Sequence, residues 1–166
     1  HIFHRHCERI HMANIAQTVN VLQAMVLTKD EKMLLTPTYH VFHMFQVHQE
    51  EEALEVEFVS PPYERRGEKI PQVSVSASRS SDKMHISCCH LNPHEQREIS
   101  LAIEGIDEQT KVTGRVLTAD RMNAHNTFDD PHSVQPKDFQ QMTVKSGELT
   151  VELPPMSVVM ITVDLA

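Results

Sequence analysis

MANIAQTVNVLQAMVL, residues 12–27, is the stretch whose reading decides the fold. It is the most apolar segment of the chain, carries β-branched residues and has no Gly or Pro. Such a run reads as a strand buried on both faces. Gln17 and Asn20 lie inside it. Burying an amide without a hydrogen bond costs ~1–3 kcal/mol. Two readings follow. Either these amides cap backbone groups in a strand-to-loop bend, or they face a ligand, where an amide can both donate and accept.

On its N-terminal side, Ile2–Ile10 reads as the end of an amphipathic helix. On its C-terminal side, Leu27–Pro37 carries Lys29, Asp30, Glu31 and Lys32 and reads as a loop. Thr36-Pro37-Thr38 is a helix start with Pro near the first turn. Tyr39, Val41, Phe42, Met44, Phe45 and Val47 then supply a broad apolar face. Helix, buried strand, loop and helix make one unit of an α/β fold, and one strand between two helices cannot bury itself. The chain opens HIFHRHCERI without a Met. The expectation is therefore the C-terminal part of a longer polypeptide.

The period changes after Glu50. Leu54, Val56 and Phe58 alternate with Glu55 and Glu57; Val73 and Val75 alternate with serines; Met84, Ile86 and Cys88 alternate with His85 and Ser87. Ile99–Ile103, Val112–Leu117, Met142–Val144, Leu149–Leu153 and Val158–Leu165 are further short runs. Turn signals separate them at Ser80-Ser81-Asp82, Asn92-Pro93, Glu104-Gly105, Ser146-Gly147 and Pro154-Pro155. The ERRGEK run after Pro61-Pro62 reads as a loop, and Asp120–Lys137 as a long excursion between strands. Short strands with frequent turns predict a mostly β chain, a sandwich of jelly-roll or Greek-key type.

Composition narrows the function classes. The net charge of −8 supplies no basic footprint for nucleic acid or an anionic membrane surface. No apolar run reaches the ~18–20 residues of a membrane span. Three cysteines, Cys7, Cys88 and Cys89, do not make a disulfide framework and point to a reducing compartment. His4, Cys7 and His11 would share a helix face, but the usual zinc spacings are absent, so a polar surface is expected there rather than a metal site. Cys88-Cys89 lies in a strand, where neighbours point to opposite faces, so at most one faces the core, as a buried structural cysteine. There is no P-loop, dinucleotide loop or Ser-His-Asp signature. Glu50–Glu52 and Asp129-Asp130 read as solvated charges. No pair of carboxylates suits glycoside hydrolysis. Without Trp, and with few aromatic residues, the sandwich does not read as an independent sugar-binding module, which remains the alternative together with a packing or oligomerisation role.

The order MANIAQTVNVLQAM, LLTPTYHVFHMF, VSVSASR, MNAHNTFDDP and LPPMSVVMITV resembles the C-terminal third of intracellular α-L-arabinofuranosidases of glycoside hydrolase family 51. The resemblance covers His1 to Leu165. It implies that residues 1–50 are the terminal part of a (β/α)8 barrel and residues 51–166 a C-terminal jelly-roll. On this match Ala13–Val19 resembles the eighth barrel strand. Gln17 matches a glutamine that hydrogen-bonds the arabinofuranose in the −1 subsite; Asn20 shares the motif by proximity only. MNAHNTFDDP is expected mainly to order the sandwich. The implied reaction is retaining hydrolysis of terminal arabinofuranosides by two glutamates of earlier barrel strands, without a cofactor. A cytoplasmic homo-oligomer, joined to an N-terminal barrel of the same protein, is implied with it.

Overall fold

The structure, a computed structural model, describes residues 1–165. It is mostly β, as the alternating segments predict. In chain order the elements are α1 (Ile2–Arg5), β1 (Val26–Lys29), β2 (Lys32–Leu35), α2 (Pro37–Phe45) and a 3-10 turn (Gln46–His48). There follow β3 (Glu52–Leu54), β4 (Pro62–Arg65), β5 (Glu68–Pro71), β6 (Val73–Arg79), β7 (Lys83–His90) and β8 (Arg97–Ala102). The last are β9 (Val112–Leu117), β10 (Lys137–Phe139), β11 (Met142–Lys145), β12 (Glu148–Leu153) and β13 (Ser157–Asp164).

A six-stranded sheet, in the order β10-β9-β13-β7-β6-β3, faces a three-stranded sheet, β11-β12-β8. Its named neighbours pair antiparallel. One core joins the two sheets: Val73 and Val75, Ile86 and Cys88, and Val159, Ile161 and Val163 from the larger; Ile99, Leu149, Val151 and Leu153 from the smaller. Period-two alternation is what sends these side chains to one face. Val56 and Phe58 lie beyond the end of β3 yet still pack on this core.

The other face of the large sheet is also covered. Met44 of α2 is buried with Leu117, Val134 and Met160, and Val41, Phe45, Val47 and Val158 pack around them. Thr36 caps α2 by accepting from the Tyr39 N–H (3.4 Å), and donates its own hydroxyl to the Ala24 carbonyl (2.7 Å). Pro37 occupies the first turn, as the sequence predicts.

Three readings are corrected. First, Ala13–Val19 is not a buried strand: residues 12–20 are exposed apart from half-buried Ile15, and β1 begins only at Val26. A strand buried on both faces needs a hydrogen-bonded neighbour for its N–H and C=O groups. Among the described residues none lies beside this segment except one isolated bridge, Val19 to Val26. Gln17, Asn20 and Gln23 at φ 57, 55 and 61 break the extended path as well. Second, the helix expected over Ile2–Ile10 stops at Arg5. His4, Cys7 and His11 therefore share no helix face, and Cys7 is exposed. Third, two segments read as loops are hairpins. β1 and β2 pair through Asp30-Glu31, and β4 and β5 through Arg66-Gly67, at φ 55 and 85. Positive φ at both central residues is the type I′ geometry that suits a two-residue hairpin.

Candidate functional site around Gln17

The segment carrying Gln17 is held at its C-terminal end. The Thr18 carbonyl accepts from the N–H groups of Met25 (3.0 Å) and Val26 (3.1 Å), and the Asn20 N–H donates to the Val26 carbonyl (3.1 Å). Residues 18–26 thus form a closed loop, and the Thr36 N–H reaches back to the Met25 carbonyl (3.0 Å) to tie that loop to the start of α2. Gln17 is the residue just outside the closure.

The two amides of this stretch part company. Asn20 Nδ2 donates to Thr28 Oγ1 (2.8 Å), and its Oδ1 accepts from the Thr28 N–H (2.8 Å). Both ends of that side chain are occupied within the fold, so the bend-capping reading is the one the geometry supports for Asn20. The Gln17 amide makes no hydrogen bond among the described residues and is exposed. Its backbone sits in the left-handed region at φ 57, which costs a non-Gly residue ~1–2 kcal/mol.

Around it lies uncovered apolar surface. Met12 is 77% exposed, Val19 47% and Leu22 91%. Isolated apolar side chains on a surface mean little, but several within one segment mark a face that belongs against something. Among the described residues no group of three or more His, Cys, Asp or Glu side chains could hold a metal ion. Cys88 is fully buried and its thiol is pushed up to about 12, chiefly by desolvation; Cys89 is shifted upward for the same reason. Neither is a nucleophile at neutral pH.

MNAHNTFDDP has a structural centre that the sequence does not mark. Asn126 is buried, donates to the carbonyls of Leu35 (2.8 Å) and Val134 (2.9 Å), and accepts from the Val134 N–H (2.7 Å). Its loop is thereby clamped to the end of β2. Only a partner 91 residues away in sequence reveals this role.

A second arrangement escaped the reading of the sequence altogether. The outward serines of β6 and β7 meet imidazoles. His1 lies between Ser74 (Nδ1, 2.7 Å) and Ser87 (Nε2, 3.0 Å), and His48 between Ser78 (Nδ1, 2.8 Å) and Ser87 (Nε2, 2.9 Å). The alternation of serine with valine in β6 was the available signal. It marks a second face but not what covers it.

Comparison with known proteins places this geometry. The model of the alpha-L-arabinofuranosidase C-terminal domain matches residues 1–157. An intracellular exo-alpha-L-arabinofuranosidase of Bacteroides ovatus is 39% identical over 160 residues, 95% of this chain and 31% of that protein. The crystal structure of the family 51 arabinofuranosidase of Xanthomonas axonopodis pv. citri superposes with a TM-score of 0.93 at 37% identity, over 98% of this chain and 33% of that one. The arabinofuranosidase of Thermotoga maritima shares the fold, with a TM-score of 0.83 at 24% identity, over 97% of this chain and 35% of that one. The chain thus spans about a third of the length of the relatives it matches. On these matches, which run almost from end to end, the chain belongs to the alpha-L-arabinofuranosidase C-terminal domain family, the C-terminal part of glycoside hydrolase family 51.

Proposed function

We propose that this chain is the C-terminal part of a retaining α-L-arabinofuranosidase that removes terminal non-reducing arabinofuranosyl groups from arabinan and arabinoxylan oligosaccharides. The observation that carries the reading is the 39% identity, over 95% of the chain, to a protein named an intracellular exo-alpha-L-arabinofuranosidase. In this reading residues 1–50 close a (β/α)8 barrel, and residues 51–166 are its jelly-roll companion. The exposed apolar segment around Val19 and Leu22 would lie against barrel strands outside this sequence. Those strands would also supply the ladder partners that residues 13–19 lack here. The relative's name favours an intracellular enzyme, and homo-oligomerisation is part of the same family reading.

The division of labour follows from the chemistry. Retaining hydrolysis uses two carboxyl groups about 5–5.5 Å apart, one as acid/base and one as nucleophile. We assign both to glutamates of earlier barrel strands, not to this chain. Gln17 has the role of a binding group. Its free amide can accept from one sugar hydroxyl and donate to the next. The 166 residues alone would be catalytically inert.

The test is made in the full-length protein with an aryl α-L-arabinofuranoside. The unsubstituted enzyme hydrolyses it with retention at the anomeric carbon. Gln17→Ala lowers kcat/KM by tenfold or more, about 1.4 kcal/mol, with an unchanged unfolding midpoint. Activity within about twofold of the parent makes Gln17 a structural residue. No hydrolysis by the parent enzyme overturns the whole reading.

A further inference from the structure

The outer face of the six-stranded sheet is half apolar and half polar. Register lines up Ser74, Cys89 and Val158 in one row, Ser76, Ser87 and Met160 in the next, and Ser78, His85 and Thr162 in the third. The apolar end, Val158 and Met160, is covered by Met44, Val41 and Phe45 of α2. The polar end is covered by imidazoles from α1 and the 3-10 turn, and Phe45 stacks on His1 at 5.5 Å between ring centres. Ser87 is fully buried and touches both His1 and His48. The contacts form a chain, Ser74–His1–Ser87–His48–Ser78, and Ser87 also reaches the Ser76 carbonyl at 3.5 Å.

We propose that this chain of alternating hydroxyls and imidazoles is an acid-sensitive latch. It holds α1 and the 3-10 turn on the sheet while both rings are neutral, and releases them when His48 takes up a proton.

The count of donors carries the argument. A neutral imidazole has one N–H and one lone pair, and a hydroxyl has one O–H and two lone pairs. With both rings neutral, each ring offers one donor and one acceptor to its two hydroxyls, and Ser87 has the Ser76 carbonyl as a further acceptor. A proton added to His48 makes both of its nitrogens donors, so the hydroxyl that donated to the ring loses its acceptor and must turn. It also places a charge in a half-buried site whose hydrogen-bond partners, among the described residues, are neutral hydroxyls.

The groups facing the ring can be named. From the α1 side they are the imidazoles of His4, 4.8 Å away, and His1, which shares Ser87 with it. From β7 comes His85. His85 is itself lowered, chiefly by burial, with Glu51 and Asp82 acting against that shift and Lys83 adding to it. Among the described residues no carboxylate accepts a hydrogen bond from His48, whose two nitrogens are taken up by hydroxyls. Burial first, then His4 and His85, push His48 down to about 4. His4 is lowered too, chiefly by burial.

The sign of the pH effect follows. The unfolded ring titrates near 6.5 and the folded one near 4, so between these values the unfolded chain holds more protons. Stability from this site is full above 6.5 and falls as the pH drops toward 4, by up to about tenfold in the folding constant per pH unit.

Two measurements on the full-length protein decide the matter. Deuterium exchange at the imidazole C2 position, read by mass spectrometry, follows His48 without any substitution. The expected midpoint lies below about 5, and a midpoint at 6 or above overturns the latch. Amide exchange, corrected for its intrinsic pH dependence, follows residues 2–5 and 46–48. Their protection is expected to fall on acidification from 6.5 to 4 while that of β12 persists. In His48→Gln, which keeps a donor and an acceptor but cannot titrate, protection of residues 2–5 should persist to the lower pH. Unchanged protection in the parent protein, or the same loss in both proteins, refutes it.

Discussion

Residue by residue, the polar groups of this chain separate by whether the fold completes them. Asn20 and Gln17 stand three positions apart in one apolar run, yet only Asn20 is saturated, by Thr28. The sugar contact proposed for Gln17 rests on that free amide, at a φ of 57, whose hydrogen bonds a ligand would complete. Asn126 is the opposite case. Asn126→Ala would leave the Leu35 and Val134 groups without their buried partner, and each such group costs ~1–3 kcal/mol. The expected loss is about 2–3 kcal/mol, read as a lower urea midpoint at unchanged m-value. A loss below ~0.5 kcal/mol would mean that water replaces the amide and that the clamp is dispensable.

At the scale of elements, the readable strands were those with clean alternation between recognised turns. β6, β7, β12 and β13 place valines, isoleucines and leucines on the core face as the pattern predicts. Ser146-Gly147, with φ 50 and 84, joins β11 to β12 as its turn signal implies. The β4–β5 hairpin was missed because Arg66-Gly67 sits among charges and lacks Asn or Asp at the first turn position. A tight spot also lies between elements. A Cβ built on Gly114 of β9 would stand 2.8 Å from Met142 Cε and 3.0 Å from Phe139 Cδ1. Phe139 is almost fully buried, so it cannot move aside freely. Gly114→Ala is expected to destabilise by ~1–3 kcal/mol through overpacking, with a lower thermal midpoint. No change would show that Met142 swings clear without cost.

For the whole molecule, the decisive feature is an imbalance. The six-stranded sheet is covered on both faces and forms a closed core with its three-stranded partner, whereas the segment from Met12 to Leu22 leaves its apolar side chains largely exposed. The 166-residue chain on its own should therefore bind a hydrophobic dye and self-associate. The full-length protein at equal molarity should do neither at that surface. Dye fluorescence and sedimentation velocity distinguish the two. A dye-silent, cooperatively unfolding monomer of the isolated chain would show that the segment buries itself and would count against the proposed barrel.

What the amino-acid sequence determined by itself was everything that depends on near neighbours. Thr36-Pro37 starts a helix because the hydroxyl and the ring act within one turn. The strands of the sandwich take their inner face from period two, and Ser146-Gly147 turns because its residues tolerate positive φ. What only the tertiary structure decided depended on a distant partner. Residues 13–19 have the composition of a buried strand, but a strand exists only where another supplies its ladder, and the described residues supply none. The serines of β6 and β7 became half of a hydroxyl–imidazole chain because His1 and His48 are brought over them from another part of the sequence. Hydrogen-bond satisfaction is a property of the assembled interior, and no local pattern announces which group will be left free for a ligand.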